Sequence, residues 1–395
     1  MTNGSGSSPS LRVAVVVPKY GLVGGGERFA AELTGRMART GRYEFHVFAN
    51  RWASPSPGIA FHKVPAVRFP RSLRPLAFAW LADRMIARGG FDIVHAHERV
   101  LRADVFSMHA VPHAGWVRDV RGKRPSLFDR ATISLERRMM ANAAGSVFLP
   151  VSSLAAEALR REYPVDSGRI RVVHPGVDVA RFAGPDRAAC RAEIRARHGI
   201  GESDLLVLFV GMNFEVKGLD AVVAGVAAAR RARPDAGIRL LVVGRGNEKK
   251  YGDLARAHGI GDAVMFAGPQ AEGVERYYRA ADLFIMLSLF DTFGMAVLEA
   301  MAAGLPAIVS PGVGAKDVVE DGVNGYVVSA PGDSDAAARA IVAMADAGTR
   351  ARLGAEAART AARHSWDRTA EEVARAYDAV CAARRDGEPG HSKER

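Results

Sequence analysis

Cysteine is nearly absent from this chain of 395 residues, which holds only Cys190 and Cys381. Two cysteines so far apart exclude a disulfide framework and a cysteine-based metal centre. Both sit in Ala/Arg-rich segments that read as helices, and a reducing, cytoplasmic setting is expected. No apolar run approaches the roughly 20 residues needed to span a bilayer. The segment Met1–Ser10 is rich in Gly and Ser and lacks the apolar centre of a signal peptide. No set of His, Asp and Glu has metal-ligand spacing, so no protein-bound metal is expected. No recognised nucleic-acid module is present either, and nucleic acid is not expected as a partner.

What is present suits two ordinary α/β domains: 48% hydrophobic residues, 25% charged residues and 41 glycines, many placed just after apolar runs. The net charge of +11 is uneven. Residues 1–180 carry 26 Lys+Arg against 14 Asp+Glu, a net of +12, and the remainder 28 against 29, a net of −1. The basic half implies an anionic partner; the alternative is arginine accumulated on solvated faces.

Leu11–Val17 reads as a strand, Gly21–Gly26 as a glycine loop and Glu27–Arg39 as a helix. Strands are expected at Phe45–Phe48, Ile59–Val64, Asp92–His95, Asp104–Met108, Ser146–Val151 and Arg169–His174. Helices are expected at Leu73–Ala87, Leu127–Ala144 and Leu154–Tyr163. Pro175–Asp186 has turn residues and no periodicity, and marks a domain boundary. The pattern then restarts with strand Leu205–Val210, loop Gly211–Gly218 and helix Leu219–Arg231. Strands Leu240–Val243, Ala263–Phe266, Leu283–Leu287 and Pro306–Ser310 alternate with helices Glu248–His258, Glu272–Ala280 and Thr292–Ala303. Three helices, at about 334–346, 349–363 and 367–384, close the chain. Such alternation implies parallel sheets covered on both faces, with ligands at the carboxyl ends of the strands.

Several residues stand out chemically. Lys217 lies in a strand–helix loop, where free N–H groups and the helix dipole favour an anion; an ordinary solvated lysine is the alternative. Asp291 opens the segment before a helix and reads either as an N-cap or as a ligand contact. Glu299 sits in Met295–Ala303, otherwise small and apolar throughout, so the carboxylate needs a partner. Ribose hydroxyls of a nucleotide, an internal arginine or a backbone donor would each serve. His95 and His97 end a strand and could contact substrate or brace a loop. His113 lies in Val111–Trp116, which reads as a flexible loop. Arg118, Arg121, Lys123 and Arg124 follow Trp116; Arg68, Arg71 and Arg74 precede Leu76–Leu81. Basic residues beside aromatics suit a membrane interface, and packing of Leu73–Ala87 on its own sheet is the alternative.

These motifs together resemble a known family. Asp291-x7-Glu299 is similar to the E-x7-E signature of retaining GT-B glycosyltransferases of family 4. The run Phe293-Gly294-Met295-Ala296-Val297-Leu298-Glu299-Ala300-Met301-Ala302-Ala303-Gly304-Leu305-Pro306 resembles that family's F-G-x-x-x-x-E-A-M-A-x-G-x-P. Lys217-Gly218, Gly244-Arg245-Gly246, Gly176-Val177-Asp178 with Phe182, and Gly25-Gly26-x-Arg28 resemble its other landmarks, so the likeness covers about residues 11–380. It implies a GT-B fold: two Rossmann-like doubly wound parallel-sheet domains with an interdomain cleft. The acceptor domain would span 11–180 and the donor domain 181–366. Helix 367–384 would pack back toward the first domain, and 1–10 and 385–395 would be disordered.

The resemblance also implies roles. Lys217, with Gly211, Phe293, Gly294 and Met295, would hold the donor diphosphate and sugar. Glu299 would bind ribose, Asp291 would meet the donor sugar, and His109 would face the reacting carbon. Gly25 and Gly26 would let backbone approach the donor. Three departures matter. Asp291 replaces Glu, Met212 stands where the family commonly has Arg (with Arg245 a candidate replacement), and Pro175 replaces Asn. With Val16-Val17-Pro18-Lys19-Tyr20 and His174-Pro175-Gly176, they resemble the lipopolysaccharide-core glucosyltransferase branch. The expected activity is retaining transfer of a hexose such as glucose from a nucleoside-diphosphate sugar, UDP favoured, to a glycan or lipid-linked acceptor. The acceptor side would involve His95, His97, Trp116, Arg118, Arg121, Lys123 and Arg124, at an anionic membrane surface, with no permanently bound cofactor. The alternatives are a GT-B epimerase or hydrolase and a non-catalytic basic scaffold.

Overall fold

Runs of Val, Leu, Ile and Phe with no polar alternation are the signature of strands buried on both faces, and they form the centre of two separate units. In this computed structural model residues 10–22, 24–67, 69–270 and 272–387 are described. Arg68 and the segments 1–9 and 388–395, which include most of both expected disordered ends, lie outside them. Unit 1 comprises residues up to His174 together with the segment from Trp366, and unit 2 comprises Pro175–Ser365.

Unit 1 runs β1 (Leu11–Val16), β2 (Lys19–Tyr20), α1 (Gly25–Ala38), β3 (Tyr43–Ala49), β4 (Arg51–Trp52), β5 (Ile59–Lys63) and α2 (Arg74–Ile86). It continues through β6 (Ile93–Ala96), β7 (Val105–Met108), α3 (His113–Gly115), α4 (Leu127–Ala141), β8 (Val147–Pro150) and α5 (Ser153–Glu162). Unit 2 runs α6 (Val179–Ala183), α7 (Arg187–His198), β9 (Leu206–Met212), α8 (Leu219–Ala232), β10 (Arg239–Arg245), α9 (Glu248–Ala257), β11 (Val264–Gly268) and α10 (Val274–Ala280). Then come β12 (Leu283–Met286), α11 (Met295–Ala302), β13 (Ala307–Val309), β14 (Gly325–Val327), α12 (Ser334–Ala343) and α13 (Ala347–Ala362). The last helix, α14 (Trp366–Arg385), belongs to unit 1.

Each unit has a six-stranded sheet, ordered β5-β3-β1-β6-β7-β8 in one and β11-β10-β9-β12-β13-β14 in the other. Every pairing in both is parallel. This is the doubly wound Rossmann order twice over, as expected, with the order reversing between β1 and β6 and between β9 and β12. The unit 1 core packs Val16, Phe48, Phe106 and Phe148 under α2, α4 and α5; that of unit 2 packs Phe209, Leu240, Ile285 and Ile308 under α8, α9 and α12.

α14 is part of unit 1 because three of its side chains enter that unit. Trp366 meets Phe29 edge-on, Tyr377 O–H bonds His95, and Arg384 pairs with Asp104. The structure differs from the sequence reading at several places, among them the short helix α6 inside Pro175–Asp186, read as having no periodicity. In Arg169–His174, expected as a strand, Arg169 closes a 3-10 turn and the residues after it hydrogen-bond to β8 through one bridge and no regular strand. Val111–Trp116, expected as a flexible loop, opens a helical stretch: α3 continues into a π-helical turn at Trp116–Arg121. β14 is three residues long and flanked by Asn324, so it gives too short a signal to read. The helix expected from Thr292 starts at Met295, since Gly294 is its N-cap at φ 88°.

Candidate active site

The donor-type motifs of unit 2 converge at the carboxyl ends of β9, β10 and β12, at the switch point of that sheet. The loop after β9 carries Lys217. Its turn into α8 passes through Gly218 at φ 72°, where a Cβ would stand 2.0 Å from the Leu287 carbonyl oxygen. Glycine is therefore required for the lysine loop to lie against the end of β12. The Leu289 N–H donates to the Val216 carbonyl at 3.0 Å and ties the two loops together. Asp291 is held by its own backbone: its N–H donates to Gly312 and its carbonyl accepts from Gly314. The consequence is an ion pair between Lys217 Nζ and Asp291 Oδ2, both side chains being mostly covered. Asp291 is thus not the N-cap of α11, which is Gly294. Gly211 lets the lysine stem pass close, as a Cβ there would sit 3.3 Å from Lys217 Cγ.

Glu299 is buried one turn into α11, and Tyr278 O–H donates to its Oε2 at 2.9 Å. The partner the carboxylate needed is a tyrosine from α10, which no sequence motif marked. Phe293 and the N-cap Gly294 lead into α11 at Met295, whose amino end and dipole favour an anion. At the end of β10, Arg245 is exposed and stands in register with Met212 on β9. Neighbouring residues of parallel strands point to the same face, so the arginine occupies the place beside the uncharged Met212.

Unit 1 presents a cavity of about 330 Å³ at its own switch point, lined by Pro18, Lys19, Gly26, His97, Arg99 and His109 among others. Gly25 opens α1. Gly26 lies against His109, and a Cβ on it would approach that ring to 3.0 Å. His109 Nε2 and His97 Nδ1 are 3.0 Å apart, so one imidazole donates to the other, and the rings stack at 9°. Burial pushes the His109 pKa down to about 4 and that of His97 well down, the latter further depressed by His95 and His109. Both are therefore neutral imidazoles near pH 7. His97 Nε2 is buried and has no hydrogen-bond partner among the described residues.

His95 does not reach the cavity surface. It lies within β6 at 0% exposure, with Tyr377 O–H at 2.7 Å and Ser107 O–H at 2.9 Å. The structure moves it from substrate contact to internal bracing of α14. The basic cluster after Trp116 also divides. Arg121 forms a bidentate pair with the buried Asp129, and Arg118 pairs with Asp119 and Glu162. Lys123 and Arg124 remain exposed. His113 bonds Asp129 at 2.9 Å and is structural. Arg99, which carries no motif, reaches the cavity while paired with the buried Glu136. Among the described residues no three His, Cys, Asp or Glu side chains are grouped to hold a metal ion, and no helix is long and apolar enough to cross a membrane.

Two family models match the chain: "Glycosyltransferase Family 4" over residues 23–181 and "Glycosyl transferases group 1" over residues 191–360. Among curated relatives, the D-inositol 3-phosphate glycosyltransferase of Salinispora arenicola is 31% identical over 325 residues, covering 76% of this chain and 72% of the relative. That of Geodermatophilus obscurus is 31% identical, covering 92% and 86%. Among solved structures, WaaG, a glycosyltransferase involved in lipopolysaccharide biosynthesis, superposes with a TM-score of 0.78 at 21% identity, covering 93% of this chain and 99% of that one. HepE of Anabaena in complex with UDP and glucose gives 0.72 at 18%, covering 93% and 100%. The fold likeness and the two matched halves agree with the loops that bring Lys217, Asp291 and Glu299 together. The chain is a GT-B glycosyltransferase and belongs to glycosyltransferase family 4.

Proposed function

We propose that the protein transfers a hexose, with retention of anomeric configuration, from a UDP-sugar to a phosphate-bearing acceptor at or near an anionic membrane surface. The observation that carries the donor reading is the Lys217–Asp291 pair beside the α11 N-terminus, with Glu299 one turn further on. In this reading the ammonium and the helix N–H groups stabilise charge gathering on the departing diphosphate. Arg245 supplies the second cation from β10, in place of the family arginine that Met212 replaces. Glu299, oriented by Tyr278, accepts hydrogen bonds from the ribose hydroxyls. As the bond from the anomeric carbon to the diphosphate oxygen breaks, the acceptor hydroxyl oxygen bonds that carbon from the same face. Its proton passes to a leaving phosphate oxygen. His109, neutral and packed on Gly26, donates or accepts a hydrogen bond at the sugar.

The acceptor side rests on unit 1. The relatives named for D-inositol 3-phosphate support an acceptor carrying phosphate, and the net charge of +12 over residues 1–180 suits one. Contact with a membrane is supported by apolar side chains left in solvent on unit 1: Phe69 at 86% exposure, Leu127 at 74%, Trp80 at 50% and Leu73 at 47%. α2 buries Phe78, Ala79 and Ala82 on its sheet and leaves Trp80 outward, under the Arg84 guanidinium. Aromatic residues flanked by arginine suit the interface of an anionic bilayer. The test is a panel of nucleotide sugars offered with inositol phosphate and lipid-linked acceptors, following nucleoside diphosphate release and the product anomer. Release only to water, with no sugar on any acceptor, would overturn the transfer reading in favour of a hydrolase.

A further inference from the structure

Unit 2 has a second concavity, at the opposite ends of its strands from the nucleotide-type loops. Arg187 and Arg191 of α7, Arg279 of α10 and Arg350 of α13 all line it, in a cavity of about 530 Å³. Its one lining carboxylate is Asp282, the residue before β12. Asp282 is already engaged by three donors. Its oxygens accept from Arg191 at 2.9 Å, from the buried Arg195 at 2.7 Å and from the Leu206 N–H at 2.8 Å. Arg191 also pairs with Glu202.

The other three guanidiniums form no ion pair within 4 Å among the described residues, though Asp282 faces Arg187 and Asp346, the N-cap of α13, lies near Arg350. Arg187 donates to the Ala281 carbonyl at 3.3 Å, Arg279 to the Pro185 and Ala303 carbonyls, and Arg350 to the Met344 and Ala345 carbonyls. Each guanidinium has five N–H donors, so donors remain. Partial enclosure holds the Arg187 pKa below its ordinary value; Asp282 opposes this, and the nearby charges of Arg191, Arg279 and Arg350 add to it. Four guanidiniums against one lining carboxylate leave the hollow with excess positive charge, which a bound anion would offset. Ala303, Gly304, Ala351 and Gly354 leave the floor small, and α13 lies along the hollow with one side from Ala347 to Ala358.

We infer that this arginine-lined cavity is an anion site separate from the nucleotide loops, which takes a small ligand bearing a phosphomonoester or diphosphate. Guanidinium groups recognise phosphate oxygens through paired N–H donors, and a concave site favours a small molecule over a surface. The site is distinct from the donor loops. Asp282 lies at the amino end of β12 and Asp291 beyond its carboxyl end, and a four-residue strand alone separates them by about 13 Å.

The experiment is calorimetric titration of the full chain with inorganic pyrophosphate, and in parallel with inorganic phosphate, at fixed ionic strength with and without saturating UDP. The site predicts a pyrophosphate-binding component that survives UDP. Arg187→Glu, at an exposed helix end, is expected to weaken that component at least tenfold, and Arg350→Gln at least threefold, with unchanged melting temperatures. Phosphate binding as tightly as pyrophosphate would assign the site to a single phosphate group; weaker binding would assign it to a diphosphate. Loss of all pyrophosphate binding under UDP, or a surviving component that both variants leave unchanged, would overturn the inference. Failure of the donor reading would show separately, as no binding of UDP itself.

Discussion

The two units share a strand order and differ in what their switch points hold. In unit 2 the loops after β9 and β12 carry a lysine, an aspartate and a buried glutamate round a helix N-terminus, and the ion pair keeps the ammonium in place. In unit 1 the loops after β6 and β7 carry the imidazoles of His97 and His109, stacked on one another and held neutral by desolvation. Topology places a crevice at the same point in both sheets; the loop residues decide whether it suits a diphosphate or a neutral polar group. One fold used twice in a chain thus gives two different chemical environments.

The sharpest way to break this contrast is to remove the cation from unit 2. Lys217→Ala is expected to lower turnover by about 100- to 1000-fold, roughly 2.7–4 kcal/mol, the scale of a lost electrostatic stabiliser of developing charge. Steady-state kinetics with a matched melting temperature would check it. Turnover within twofold of the unaltered protein would remove Lys217 from the mechanism. Glu299→Ala is expected to weaken UDP binding by about 1–3 kcal/mol, the scale of a hydrogen bond to a charged group. Tyr278→Phe should lose part of the same energy, since it frees the carboxylate that the phenol orients. Equal UDP affinity in both variants, read by calorimetry, would assign Glu299 to the core alone.

Acid should separate the units. His95, His97 and His109 of unit 1 have pKa values lowered by burial, His95 to about 3 and His109 to about 4, from an ordinary 6.5. The unfolded chain takes up those protons below pH 6.5 and the folded unit does not. Their contribution to stability is therefore complete above pH 6.5 and is lost as pH falls from there toward 4. Each contributes a slope of up to about 1.4 kcal/mol per pH unit. Among the described residues of unit 2, His198 also has a lowered pKa, but it is only partly buried. Hydrogen exchange at pH 6.5, 5.5 and 4.5 should show protection falling faster in β6 and β7 than in β9 and β12; parallel loss would contradict it. The smallest effect concerns the exposed cations. Lys123→Gln with Arg124→Gln is expected to raise the acceptor KM about two- to fivefold, under 1 kcal/mol. Donor affinity should stay unchanged, and vesicle binding should weaken most at low salt. Co-sedimentation equal to the unaltered protein would place these charges on a plain solvated surface.

Much of this was legible in the chain. Apolar runs announced β1, β9 and β12, the first two of them followed by glycine loops, because a strand buried on both faces tolerates few polar residues. The isolation of Glu299 among small apolar residues announced a carboxylate in need of a partner. Which partner was not legible. Tyr278 lies 21 positions earlier, on another helix, and only the packing of α10 against α11 brings its hydroxyl within 2.9 Å. The same holds for His95, which pairs with Tyr377 across 282 positions, and for Asp291, whose clasp by Gly312 and Gly314 turns it from a helix cap to a lysine partner. Arg121 read as a surface cation until the fold set it against the buried Asp129.

The sequence by itself determined the alternation of strand and helix, the two parallel sheets and the loops that carry chemistry, since periodicity and turn residues are local properties. Tertiary structure alone decided which charges are paired, which histidines are sealed from solvent, and that four arginines from three helices meet round one hollow. Burial and charge pairing depend on distances between residues remote in the chain, and those are fixed only when the helices pack on their sheet.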